Sequence, residues 1–404
     1  MSIWPKLGNA AFALLLAGCG AGTPAPESTA AASQKLPGGF ALSVYAEGLD
    51  RARFMSFGPD GTLYVGTNGD KVYALPDKNR DGRADAVIVF AGGLRSPHSV
   101  VWHEIELPGD FITPKPRPKP QGWLYVGETH RVIRLRDTDG DFKADEQEVV
   151  VPNLPTGGQH FTRTVGFGPD GALYVSVGSS CNVCKEEDQR RAAILRLPAE
   201  ALAQAGFNAD GTGMQVFARG LRNAVGFAWH PTSMEMWGVD NGRDWLGDEL
   251  PPEELDLVRR GDDHGWPYCY GQRVPDPELG SAERCAQTRP ATFEMPAHSA
   301  PLGLDFYTGA MFPAEHRGDL FIAFHGSWNR STPTGYKVVR VRFKDGKPVA
   351  MENFVDVWFT RGRVEHRPVD VKTGPDPSAP LGAGSALFIS DDRGGAIFRV
   401  TYSK

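Results

Sequence analysis

Three stretches of this chain set acid–base or anion-binding groups at short spacing. Gly157-Gly158-Gln159-His160-Phe161-Thr162-Arg163-Thr164-Val165 puts an imidazole three residues from a guanidinium. A nearby cation lowers a histidine pKa and keeps the ring neutral, the state a general base needs. Arg222-Asn223, within Ala218–Phe227, sets a planar charged fork beside an amide, a pair suited to carboxylates or quinone oxygens. Asp240-Asn241-Gly242-Arg243-Asp244-Trp245-Leu246-Gly247-Asp248-Glu249 joins acidic side chains to carbonyls in a glycine-containing turn, a composition that can hold calcium. Each stretch also has an ordinary reading: a backbone-bonded loop histidine, a structural salt bridge, and solvated turn charges.

The cysteines add a fourth feature. Cys181 and Cys184 are close neighbours, as are Cys269 and Cys285, so local pairing is the simplest of three connectivities. The alternative at Cys181-Asn182-Val183-Cys184 is redox or metal chemistry. Lys185 follows instead of a histidine, which excludes covalent haem attachment, and no second pair has zinc spacing.

What must position these groups is a repeated phrase. Phe57-Gly58-Pro59-Asp60-Gly61-Thr62-Leu63-Tyr64-Val65-Gly66 returns as Phe167-Gly168-Pro169-Asp170-Gly171-Ala172-Leu173-Tyr174-Val175-Ser176. Echoes begin at Leu124, Met236, Leu320 and Leu387, giving six units. Pro-Asp-Gly supplies a turn and the alternation behind it a half-buried strand. A second apolar run follows each, at Val72, Val132, Ala193, Leu255, Val338 and Ile397. The expectation is an all-β fold, a six-bladed β-propeller of four-stranded antiparallel blades with loop insertions, over residues 38–404. Its chemistry belongs on loops at one end of the ring.

Other polar groups fall on the same frame. Asp77-Lys78-Asn79-Arg80-Asp81-Gly82 with Asp85, and Asp137-Thr138-Asp139-Gly140-Asp141 with Asp145 and Glu148, approximate calcium-loop spacing. Neither completes the pattern, and plain turns between blades are expected. His98 precedes a strand as His160 does, and a hydrogen-bonded loop histidine is the expectation there. Pro114-Lys115-Pro116-Arg117-Pro118-Lys119-Pro120 reads as a stiff, solvated excursion.

Gly 48 and Pro 32 imply many turns, while 41% hydrophobic residues suffice for a folded core. A net charge of -6 leaves no basic stripe for nucleic acid. Lys6, the apolar run from Ala10 to Leu16 and Leu16-Ala17-Gly18-Cys19 resemble a bacterial lipoprotein signal over residues 1–18, with Cys19 lipidated. Residues 19–37 then form a flexible tether. The expected location is the bacterial envelope, exported and periplasm-facing, with the lipid anchor as the only membrane contact; an ordinary secretory signal is the alternative. An oxidising compartment favours disulfides.

Taken in order, the His before Phe-Gly-Pro-Asp-Gly-x-Leu-Tyr, then Gly220-Leu221-Arg222-Asn223, then a Gly/Asp-rich loop closing at Gly265-Trp266-Pro267 resemble the soluble quinoprotein glucose/sorbosone dehydrogenase family. Ser179-Ser180-Cys181-Asn182-Val183-Cys184, His325-Gly326-Ser327-Trp328-Asn329-Arg330 and Gly335-Tyr336-Lys337 look most like its sorbosone branch. The resemblance implies pyrroloquinoline quinone (PQQ) and calcium as cofactors, and oxidation of a sugar or sugar-derived aldehyde with electrons passed to a separate acceptor. It implies His160 as the base, with a pKa near neutrality, and Arg222 and Asn223 as contacts to the quinone oxygens. It implies the backbone carbonyls of Arg243 and Asp244 as calcium ligands. Departures are visible. Arg243-Asp244 replaces the family's Gly-Pro, Ser179 replaces an acid, and of a late arginine pair only Arg367 remains, so that Arg330 and Lys337 are the candidates to supply the missing charge. A calcium-dependent lactonase using Asp240, Asn241 and Asp244, and a non-catalytic propeller binding carbohydrate or an envelope protein, are the alternatives.

Overall fold

A computed structural model describes residues 36–104, 122–203, 213–375 and 385–403. Cys19, the signal, nearly all of the tether and the Pro/Lys stretch lie outside the described residues.

The phrase strands Leu63–Thr67, Gly122–Glu128, Leu173–Val177, Met236–Asp240, Leu320–Phe324 and Ser385–Asp391 are each the second strand of a four-stranded antiparallel sheet. The runs that follow them are the third strands. The six sheets are the blades of the expected six-bladed propeller, and the ring closes by pairing Phe40–Glu47 with the last strand, Ala396–Tyr402. At the Gly-Pro-Asp-Gly turn the Gly58 N–H donates to Thr62 O at 2.8 Å, Asp60 Oδ1 accepts from Thr62 N at 3.0 Å, and Gly61 has φ +89°.

The phrase strands are not half-buried. Leu63–Thr67, Leu173–Val177, Met236–Asp240 and Leu320–Phe324 are buried at every residue, because each blade stacks against a neighbour on both faces. Alternation sorts side chains between two blade interfaces, one on each face. Val65 and Leu63 pack toward the last blade with Phe388, whereas Tyr64 packs toward the second with Leu124 and Val126. Phe54, Val225, Leu302 and Val369, from or beside the innermost strands of four blades, form a further apolar cluster. These four blades are consecutive around the ring and their innermost strands pack as neighbours, so the cluster gives one side of the channel an apolar wall.

The glycine ending the phrase has a packing cause. A Cβ on Gly66 would lie 2.4 Å from Pro97 O, and one on Gly127 would lie 2.2 Å from Arg163 O. The backbone entering the next blade rests on these glycines. Gly127→Val is expected to lower unfolding free energy by about 3 kcal/mol, read from the denaturant midpoint, through overpacking against rigid backbone.

In an antiparallel blade, the segment entering the innermost strand and the loop joining the second and third strands share one end. His160, Arg222, Asn182 and Asp244 all lie on such segments. The Asp77–Asp85 and Asp137–Asp145 loops join third to fourth strands within a blade, at the opposite end, and are not turns between blades. Asp137, Asp139 and Asp145 carboxylates nevertheless approach one another. The long insertion after Glu253–Val258 turns back along the outer strand Gln215–Arg219, with Asp263 bridging Arg219, and so carries Trp266 to the His160 end. Disulfides join Cys181 to Cys184 and Cys269 to Cys285, the local pairing.

Candidate functional site

Loops of three consecutive blades enclose a cavity of about 500 Å3, whose walls include His160, Asn182, Arg222, Asn223, Asp244 and Glu253. Gly178 lets His160 and Asn223 approach each other, since a Cβ there would sit 2.6 Å from both His160 Cβ and Asn223 Oδ1. The apolar cluster lies two residues further along the same segments, Val225 after Asn223 and Leu302 after Ala300.

The tautomer of His160 follows from its partners. Nδ1 lies 2.9 Å from Ser179 O and 3.0 Å from Ser179 Oγ, while that hydroxyl donates to Cys181 O at 2.7 Å. A carbonyl can only accept, so Nδ1 carries the proton and Nε2 keeps its lone pair. Burial, then the charge of Arg222, with Arg163 and Arg191 adding, press the pKa down to about 3, against the hydrogen bond to Ser179 O. The ring is neutral as expected, but its pKa lies far below the near-neutral value anticipated. Ser179 faces the ring with a carbonyl and a hydroxyl, neither of which carries the charge that would raise it.

Arg222 is buried and tied. Its Nε donates to Asn182 O at 3.0 Å, Nη2 to Asn182 Oδ1 at 2.9 Å and to Asp244 Oδ2 at 3.1 Å, and Nη1 to Asn241 O at 3.1 Å. Asp240 fixes the backbone beneath, accepting from Arg222 N at 2.8 Å and Asn223 N at 2.6 Å. The Asn223 carboxamide makes no hydrogen bond to any described residue. Glu253 accepts from Gly242 N at 2.8 Å and Ala300 N at 3.1 Å. Burial raises the pKa of both Asp240 and Glu253 to about 7.

The remaining expected groups stand elsewhere. Arg330 pairs with Glu249 and donates to Ala297 O; Lys337 opens a strand opposite Phe324; Arg367 donates to His325 Nδ1 at 3.3 Å and lies over the Tyr336 ring. None lines the cavity. The Arg243 side chain is drawn away by Asp276 and Glu278, and the Asp244 carbonyl already accepts from Asn182 Nδ2 at 3.2 Å. His98 is the bonded loop histidine expected, accepting from Arg53 Nε at 3.2 Å. Of the lactonase set, Asp240 faces backbone N–H groups beneath the cavity, whereas Asp244 lines it and accepts from Arg222 and Asn329 through one lone pair on each oxygen, leaving the second free. Residues the sequence did not single out complete the walls: Asn182, Glu253 and the rim pair Trp245 and Trp328. These tryptophans are 69% and 67% exposed and stand edge to face at 5.3 Å. The available signal was an aromatic beside Asp or Asn in a loop between second and third strands.

The cavity fits a flat, polyanionic quinone. Its volume lies in the range of cofactor sites, about 300–1,000 Å3, and the open Asn223 amide is a ready donor. One guanidinium facing Asp244 and Glu253 cannot balance several added carboxylates, so such a guest needs a divalent cation, and those two carboxylates are the groups to hold it.

The TrAA12-like family profile matches residues 34–403. An uncharacterised protein of Borreliella burgdorferi is 30% identical over 382 residues, covering 92% of this chain and 91% of that one. A pyrroloquinoline quinone-dependent pyranose dehydrogenase of Coprinopsis cinerea is 27% identical over 221 residues, 45% of this chain and 30% of that longer protein. Among solved structures, the calcium structure of the Trichoderma reesei family AA12 enzyme superposes with TM-score 0.74 at 22% identity, covering 92% of this chain and 97% of that one. The holo PQQ domain of the Coprinopsis cinerea pyranose dehydrogenase gives 0.71 at 20% identity, over 91% and 97%. The likeness carried by the loop motifs thus extends through the full ring, and the chain belongs to the TrAA12-like family.

Proposed function

We propose that this protein is a PQQ- and calcium-dependent dehydrogenase that oxidises a sugar or a sugar-derived aldehyde. The observation that carries the reading is the convergence of a neutral imidazole, with Nε2 unprotonated, on the same cavity as Arg222 and Asn223. Membership of a family whose named relatives include a PQQ-dependent pyranose dehydrogenase supports it.

Bound PQQ would supply a hydride acceptor. His160 takes the substrate hydroxyl proton at Nε2 while Ser179 holds Nδ1–H and the ring plane. Arg222 and the free Asn223 amide donate to oxygen that gains negative charge. Arg222 also destabilises imidazolium, so the proton His160 receives is readily passed on. The two exposed tryptophans offer flat apolar faces at the entrance, the surface a pyranose ring stacks on. Electrons leave to a separate acceptor, and the N-terminal motif would anchor the protein on the periplasmic side of the envelope.

The test is dye reduction by purified protein with PQQ and calcium across a panel of aldoses and sugar aldehydes. Turnover that requires PQQ is expected; hydrolysis of lactones without quinone would replace this reading with the hydrolytic one. A second expectation follows from the raised carboxylates. Asp240 and Glu253 are protonated below about pH 7 and ionise above it, so calcium affinity rises with pH, by up to about tenfold per unit for one coupled proton between pH 5 and 7. Calcium titration by calorimetry at three pH values reads this directly, and a flat affinity would remove Glu253 from the cation site.

A further inference from the structure

The Cys181–Cys184 disulfide closes a four-residue ring around Asn182, and this asparagine bonds Arg222, Asp244 and Trp266 at once. Its carbonyl accepts from Arg222 Nε at 3.0 Å and from Trp266 Nε1 at 3.3 Å. Its Oδ1 accepts from Arg222 Nη2 at 2.9 Å and Asp244 N at 2.7 Å, while Nδ2 donates to Asp244 O at 3.2 Å. One residue thus joins loops of blades three and four to the insertion that carries Trp266. The same ring reaches His160, because Cys181 O receives the Ser179 hydroxyl whose oxygen faces Nδ1.

We propose that Asn182 is the positioning residue for Arg222, and that the Cys181–Cys184 bond is a redox-sensitive clasp holding it in place. Five hydrogen bonds converge on a short loop, and chain entropy would otherwise oppose such order; a covalent ring of four residues removes much of that freedom. Accessibility separates this bond from the other. Both Cys181 and Cys184 are half-buried, whereas Cys269 and Cys285 are 5% and 1% exposed. A dithiol reductant therefore reaches the clasp first. Its first thiolate breaks the Cys181–Cys184 bond and forms a mixed disulfide with one cysteine, its second displaces that cysteine, and it leaves as a cyclic disulfide with two cysteine thiols remaining, a balanced two-electron exchange. Freed, Asn182 no longer presents carbonyl and amide oxygen together, and the Arg222 fork keeps only Asp244 and Asn241 O.

The proposal rests on the cofactor reading only for its affinity readout, and the experiment separates the two. Full-length protein labelled with 15N-arginine is compared oxidised, after mild dithiol treatment with thiol counting, as Cys181→Ser/Cys184→Ser, and as Asn182→Ala. Loss of a signal in Arg222→Lys assigns the Arg222 Nε–H resonance, and circular dichroism checks the fold. In the three altered proteins that proton is expected to exchange with water about tenfold faster or more, and PQQ binding by calorimetry to weaken about tenfold. Asn182→Asp, which keeps the Oδ1 acceptor, should recover part of both. Faster exchange with no PQQ binding to any protein, wild type included, upholds the clasp and rejects the cofactor. Exchange unchanged in the reduced wild-type protein overturns the clasp, whatever the calorimetry shows.

Discussion

Replacing His160 with alanine is expected to lower turnover by about a hundred- to ten-thousandfold, the usual range for a positioned general base, with PQQ affinity changed little. The basis is the tautomer: Ser179 O can only accept, so the ring nitrogen left for substrate is the basic one. Dye-coupled rates measure the first quantity and calorimetry the second. Because the pKa of His160 is pressed down to about 3, the ring stays neutral throughout the working range, and its protonation cannot produce an acid limb between pH 5 and 8. A limb near 7 belongs instead to the buried carboxylates Asp240 and Glu253, and is expected to persist in the variant at a lowered plateau. Added imidazole should restore part of the rate by occupying the vacated space. A loss smaller than about threefold would remove His160 from the chemistry.

The depressed pKa also gives His160 a cost in acid. Its folded value lies below that of the unfolded chain, so the unfolded state binds the proton first, and stability falls as pH drops from about 6.5 toward 3. His98, buried against Arg53 and Arg163, adds in the same direction.

Legibility in the sequence divided along physical lines. The second and third strands of every blade could be read, because they carry the apolar alternation that fills the interfaces between blades. The innermost strands could not: Ser99–Glu104 and Val165–Phe167 are short or mixed, and their neighbours His98 and Thr164 face a polar network around the axis instead of a uniform core. His160, Arg222 and Asn223 could be placed on one end of the ring because each lies among the polar residues just before an innermost strand. Arg367 was placed by resemblance to a late arginine pair and Arg330 and Lys337 as replacement charge, and neither ground says anything about direction. Local carboxylates and aromatic faces captured them first, Glu249 for Arg330 and Tyr336 for Arg367. Asn182 was overlooked because its bonds run to residues 40, 62 and 84 positions away, a pattern no local window contains.

Asp240 shows why the residues beneath a site matter as much as those facing its contents. Its two oxygens receive the backbone N–H groups of Arg222 and Asn223, so one carboxylate sets the register of both side chains in the cavity. Asn in its place keeps one acceptor and turns an NH2 group toward a backbone donor. Asp240→Asn is therefore expected to cost about 2–4 kcal/mol of stability and to weaken PQQ binding by about a hundredfold, although Asp240 is absent from the cavity wall. The pH dependence has a definite sign. With its folded pKa raised to about 7, Asp240 retains a proton that the unfolded chain gives up near pH 4, so its contribution to stability declines as pH rises between those values. The variant lacks that decline, and the stability gap between it and the wild-type apoprotein should be wider at pH 5 than at pH 8. Denaturant melts at the two pH values measure the gap. An equal gap would mean that the carboxylate is ionised throughout and that Arg222, not burial, governs its charge.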